Sequence, residues 1–174
     1  MEVNLSNYFG IDFGTTRSAT VGYMVMGHTP EEFLYGDEEG RPIPSVVAID
    51  KKTGEVYTGR DAWDKKMELS ESCEYFSSVK TILDDNIVIT IAGREWTPVD
   101  IAAELFKALK VTVKERTNIE MTSATVAIPI GFSPAKREKL RMAAEKAGIT
   151  ISSFISEPTA AFFANYDELR SSSI

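Results

Sequence analysis

The residues best suited to chemistry lie in one run near the N-terminus, Phe9-Gly10-Ile11-Asp12-Phe13-Gly14-Thr15-Thr16-Arg17-Ser18. Apolar residues lead there into a turn of small ones. Gly14 carries no side chain to block the approach of a ligand, and it permits positive φ. The N–H groups of Thr15 and Thr16 can then converge on an anion, with two hydroxyls as further donors. Asp12 has the opposite tendency. Beside a polyphosphate its carboxylate would be repelled unless a divalent cation lay between them, which implies Mg²⁺. The same residue types also close ordinary hairpins, since Asp, Gly and Thr are all turn formers. A phosphate cradle and a plain hairpin turn therefore both fit the run. The Walker pattern and the dinucleotide glycine motif are absent, so a nucleotide would meet a strand–turn–strand device and not a strand–loop–helix one.

The elements that must position this turn can be read in order. Residues 8–13 and 18–26 form the two strands of its hairpin, and residues 32–34 add a short third strand. Gly36-Asp37-Glu38-Glu39-Gly40 reads as an exposed acidic turn. After Pro42 and Pro44, residues 45–49 predict a buried strand, 51–54 a turn and 55–58 its partner. Gly59 ends that strand, residues 60–69 predict a helix, and the acidic residues 70–74 a connector. Residues 77–83 are ambiguous between helix and strand, carry Lys80 among apolar neighbours, and are broken by Asp84-Asp85-Asn86. Residues 87–91 and 94–96 make a hairpin around Ala92-Gly93.

The clearest helix follows. Thr97 is its N-cap, Pro98 its first residue, and Asp100 falls three after the cap. Ile101, Leu105, Leu109 and Val113 recur on one face with Ala102 and Phe106, until Thr117-Asn118. Residues 124–130 predict a strand with Pro129 near its end. Ser133-Pro134 opens another helix, with Leu140, Ala143, Ala144 and Ala147 inward and Gly148 as the stop. Residues 151–155 are a strand, and Ser156-Glu157-Pro158-Thr159 opens a last helix. From residue 98 onward helices and strands alternate, so those strands are parallel neighbours. With the antiparallel opening this gives an α/β fold on a mixed sheet. Residues 43–97 read as a small α+β subdomain inserted between 1–42 and 98–174.

Composition narrows the function. A chain of 174 residues, 43% hydrophobic, can hold one sizeable core. A net charge of −7, with no basic run longer than two, argues against a nucleic-acid partner. ATP stays compatible with an acidic chain, because local dipoles and a metal decide that contact. Cys73 is the only cysteine and reads as a small packing residue in a reducing compartment. His28, the only histidine, sits in a turn-like segment and excludes a His-rich zinc site. No leader-like N-terminus and no run of membrane length is present, so no membrane partner and a cytoplasmic location are expected.

Three stretches carry a resemblance: Ile11-Asp12-Phe13-Gly14-Thr15-Thr16, Ala127-Ile128-Pro129-Ile130-Gly131-Phe132 with Arg137, and Ser156-Glu157-Pro158-Thr159-Ala160-Ala161. In order and spacing they resemble the N-terminal half of the ATPase domain of DnaK-like heat-shock chaperones, in the actin and sugar-kinase superfamily. The resemblance spans the whole chain. It implies a ribonuclease-H-like (actin-like ATPase) lobe that binds ATP or ADP with Mg²⁺. Asp12 resembles the acid that orients the metal through its waters, and Gly14, Thr15 and Thr16 the holders of the β- and γ-phosphates. Lys80 aligns with the catalytic lysine that meets the γ-phosphate and the attacking water, and Glu157 with the glutamate that positions that water. Pro129 and Arg137 match a pair that links nucleotide state to the peptide-binding domain. Unfolded peptide clients and co-chaperones in a stress response are the partners it implies.

Each of these residues also has an ordinary reading. Lys80 could be a snorkelling surface lysine, Glu157 a favourable charge at a helix start, and Arg137 a solvent-facing helix residue. Arg17 departs from the uncharged residue of many relatives and could either strengthen phosphate contact or clutter the pocket. Little of the usual sequence surrounds Lys80. The family's second phosphate loop, its adenosine-binding segment and its peptide-binding domain have no counterpart in these residues. The expectation is a truncated chain that binds ATP poorly and hydrolyses it negligibly alone. Alternatives from other classes are a non-chaperone actin-like protein and a non-catalytic protein-binding module.

Overall fold

Alternation along Phe9-Gly10-Ile11-Asp12-Phe13 makes β1 (Asn7–Phe13) a strand with Phe9, Ile11 and Phe13 in the core and Asp12 on the opposite face. The computed structural model describes residues 7–26, 29–35 and 41–164. In it β1 pairs antiparallel with β2 (Arg17–Met26), Phe13 lying opposite Ser18 across the turn. β3 (Thr29–Tyr35) extends this antiparallel array and is longer than residues 32–34. The two-residue strand β4 (Ile43–Pro44) also pairs with β2, beside the turn. His28 and the acidic turn over residues 36–40 lie outside the described residues.

A second sheet has β5 (Val46–Asp50) at its centre, flanked antiparallel by β6 (Val56–Thr58) and β7 (Cys73–Ser77). The connector expected over residues 70–74 is corrected here, because Cys73 and Glu74 begin β7. Cys73 and Phe76 are buried, and Glu74 meets Lys51 of the neighbouring turn at 3.9 Å. The acidic composition had masked a paired strand. The helix expected over 60–69 is interrupted. α1 (Gly59–Asp64) and α2 (Lys66–Leu69) meet at Lys65, which leaves helical geometry at φ −87°, ψ 6°. Across that break the consecutive cations of Lys65 and Lys66 lie over different rings, Tyr57 at 5.5 Å and Tyr75 at 5.2 Å.

Residues 77–83 resolve as one helical turn, α3 (Val79–Ile82), entered through Ser78 at φ +58°. The hairpin of β8 (Ile89–Ile91) and β9 (Arg94–Trp96) turns on Ala92 and Gly93, both at positive φ, as a two-residue primed turn requires. It is shorter than expected, with Ile87 and Val88 exposed ahead of it.

α4 (Pro98–Thr117) starts at a complete capping box: the Asp100 N–H donates to Thr97 Oγ1 at 3.2 Å, and the Thr97 N–H donates to Asp100 Oδ2 at 2.9 Å. β10 (Ser123–Ile128) stops before Pro129, which has no N–H for a ladder, so the strand is shorter than residues 124–130. α5 (Pro134–Lys146) is capped by Ser133, whose Oγ accepts from the Lys136 N–H at 3.1 Å. β11 (Thr150–Ser156) and α6 (Glu157–Ala164) complete the described chain.

β10 lies parallel to both β1 and β11, giving the order β11-β10-β1-β2-β3. The result is a mixed sheet flanked by helices. The inward faces of α4 and α5 contain the residues expected there, with Ile101, Leu105, Leu109, Val113 and Leu140 all buried. One apolar core runs from beneath β1 and β10 to Val47 and Ile49 of the second sheet. Phe13 anchors the end of β1 in it by stacking on Phe106 of α4, with ring centroids 4.7 Å apart.

Candidate functional site

Parallel register fixes which ends of the chain meet. Asp12 is aligned with Ala127 of β10, and Ala127 with Ile155 of β11. Two residues beyond each lie Gly14, Pro129 and Glu157, so all three leave the sheet at the same edge. The carboxyl edge of parallel strands is where open α/β sheets bind ligands.

The turn at this edge is held from beneath. Buried Ser45, fully inaccessible, donates its hydroxyl to the Gly14 carbonyl at 2.9 Å and its N–H to the Thr16 carbonyl at 2.8 Å. Its hydroxyl also meets that of buried Ser18 at 2.9 Å. Thr15, Thr16 and Arg17 are exposed. Gly14 is required for a reason other than positive φ, which it does not adopt. A Cβ at this position would be driven into the carbonyl oxygen of Arg17. Of the two properties the sequence offered for this glycine, the fold uses close approach and not positive φ.

Lys80 is carried by α3 and is only 5% exposed. Its ammonium donates to Glu157 Oε1 at 2.8 Å and lies 5.7 Å from the centre of the Phe132 ring. A surface snorkelling lysine would not look like this. Glu157 is the first residue of α6 and remains partly exposed, and Ser156 Oγ accepts from the Thr159 N–H at 3.2 Å to brace that helix start. Asp12 is exposed, but its surroundings shift it. Burial raises its pKa first, the Lys80 cation opposes this, and the Glu157 carboxylate adds to the rise. Asp12, Lys80 and Glu157 therefore share one electrostatic neighbourhood.

Pro129 and Arg137 lie next to this group through Phe132. The Phe132 N–H donates to the Pro129 carbonyl at 3.0 Å, and Arg137 Nε donates to the Phe132 carbonyl at 3.1 Å. Among the described residues no set of three or more His, Cys, Asp or Glu side chains converges as a metal cage. A cation at Asp12 would be held by one carboxylate, water and phosphate oxygens, which is how Mg²⁺ commonly binds. The donor set fits it. A separate cavity of about 430 Å³, lined by Leu83, Val88, Pro98, Met142 and Lys146 among others, contains none of these residues.

Chemically, the edge offers backbone donors on a glycine turn, a buried ammonium, and two carboxylates. An ammonium has three donors and Glu157 takes one of them, which leaves others for a phosphate oxygen. The sequence did not single out Ser18 and Ser45. Nothing local marks them, because their hydrogen bonds cross 27 and 31 positions.

A mixed sheet flanked by helices is the architecture of the actin-like ATPase fold. A family model described as Hsp70 protein matches residues 57–166, more than half of the chain. The chain belongs to the Hsp70 protein family. The matched residues include Lys80, Pro129, Arg137 and Glu157, while the Asp12–Arg17 turn precedes them. Membership makes this a fragment of a chaperone-type, nucleotide-binding ATPase family, whose members in general interact with peptide clients and co-chaperones. No helix among the described residues is long and apolar enough to cross a membrane.

Proposed function

We propose that these residues form the phosphate-holding lobe of a DnaK-like chaperone ATPase, whose complete protein couples ATP hydrolysis to the holding and release of unfolded peptide. Residues 1–42 and 98–174 are the lobe core in this reading, and 43–97 its inserted subdomain. Gly14, Thr15 and Thr16 hold the β- and γ-phosphates, with Arg17 beside them. Asp12 would hold Mg²⁺, which would supply neutralisation of the phosphate charge. Lys80 meets the γ-phosphate and the attacking water, and Glu157 accepts a hydrogen bond from that water and aligns it. Phosphoryl transfer needs this alignment and neutralisation more than covalent chemistry. Pro129 and Arg137 relay the state of the site to the peptide-binding domain, through the Phe132 backbone that both touch.

The observation that carries the reading is the buried Lys80 paired with Glu157 at 2.8 Å beside Asp12 and the glycine turn. The test is single-turnover hydrolysis of Mg-ATP by the complete protein carrying Lys80→Ala or Glu157→Gln. Loss of one preorganised group is expected to slow the chemical step by about 10²-fold with nucleotide binding retained. Unchanged rates would overturn the catalytic assignment and favour a protein-binding module.

A further inference from the structure

We infer that Ser45 is a positioning residue that sets the direction of the Thr15 and Arg17 amides at the glycine turn, an inference that rests on the phosphate reading above. Ser45 lies outside the turn in sequence, on the approach to β5, and is completely buried. It fixes two carbonyls of the turn at once, Gly14 through its hydroxyl at 2.9 Å and Thr16 through its N–H at 2.8 Å. The chain has no cis peptide bonds among its described residues. In a planar trans peptide the C=O and the next N–H point in opposite directions. Anchoring the Gly14 and Thr16 carbonyls on Ser45 therefore turns the N–H groups of Thr15 and Arg17 away from it. Preorganised donors bind an anion without the cost of reorienting them. Ser18 has a different place in the arrangement, since its hydroxyl meets Ser45 but neither carbonyl of the turn.

The test is a titration of the ¹⁵N-labelled complete protein with Mg²⁺ and inorganic tripolyphosphate, read on individual amide signals. In the wild-type chain the Thr15 and Arg17 amides are expected to shift. Ser45→Ala is expected to move those two signals before any ligand is added and to weaken binding about two- to tenfold, the equivalent of one hydrogen bond. If Ser45→Ala does not fold, Ser45→Cys, similar in size with a weak donor, carries the same expectation. Ser18→Ala removes the hydroxyl that meets Ser45 yet leaves the Gly14 anchor, and is expected to weaken binding less than Ser45→Ala does. Wild-type affinity and unmoved Thr15 and Arg17 signals in the Ser45 variant would overturn the inference, as would an equal loss in Ser18→Ala. A wild-type chain that shows no shift at the turn would instead sink the phosphate reading, and the role of Ser45 with it.

Discussion

Lys80 keeps its ammonium almost wholly out of water, with side-chain exposure of 6% against 42% for its partner Glu157. A buried charge is tolerated when paired and is costly when its partner is taken away. The two halves of the pair should therefore behave differently. Lys80→Met is expected to leave the unfolding midpoint unchanged or to raise it, because an apolar group of similar length replaces a desolvated cation. Glu157→Ala is expected to cost about 1–3 kcal/mol in urea unfolding, since it strands that cation. Asp12 adds a pH signature. Burial, reinforced by Glu157 and opposed by Lys80, raises its folded pKa above 3.8. The folded state thus binds this proton more tightly than the unfolded chain, so the stability Asp12 contributes is fully present below 3.8 and is lost as pH rises through the raised value. Asp12→Asn should melt higher than wild type at neutral pH, and the gain should vanish in acid. A lower melting temperature at neutral pH would contradict this electrostatic picture. These residues were legible as types, but their pairing was not, because Lys80 and Glu157 stand 77 positions apart.

At the scale of elements, what could be read was what is encoded locally. The start of α4 is such a case: cap, proline and acid fall within four residues, and the capping box is complete in the fold. Asp100 does more there than close the box. Burial pushes its pKa up, but hydrogen bonds from Lys146 and Thr97 outweigh that and bring it from 3.8 to about 2. Lys146, at the last position of α5, thereby ties the end of that helix to the start of α4 at 2.8 Å. Because the folded pKa is depressed, this stability is present above about pH 4 and is lost as pH falls through 2. Asp100→Asn should accordingly be destabilising at pH 7 and close to neutral near pH 2, read by urea unfolding at both values. β7 was hidden for the opposite reason. Its pairing is with β5, far upstream, and its acidic flank reads like a loop. The break at Lys65 likewise has no proline or glycine to announce it.

At the scale of the molecule, three distant segments supply the proposed site: β1 with Asp12, α3 with Lys80, and α6 with Glu157. The parallel register of β1, β10 and β11 makes the meeting of Asp12 and Glu157 a property of the fold, since it brings three strand ends to one edge, and Lys80 joins them through its ion pair with Glu157. Helix–strand alternation after residue 98 was enough to anticipate that β10 and β11 run parallel, but not that β1 joins them in parallel. The passage of Ser45 beneath the turn was not legible either, because it depends on how the second sheet docks on the first. The central claim is that this edge holds a metal-bound polyphosphate between Asp12 and Lys80. It is tested most directly by titrating the ¹⁵N-labelled protein with ATP and paramagnetic Mn²⁺ in place of Mg²⁺. Relaxation broadening should centre on the amides of Asp12, Gly14, Thr15 and Thr16, extend to Lys80 and Glu157, and disappear in Asp12→Asn. Broadening centred on another surface, or undiminished in Asp12→Asn, would contradict the account.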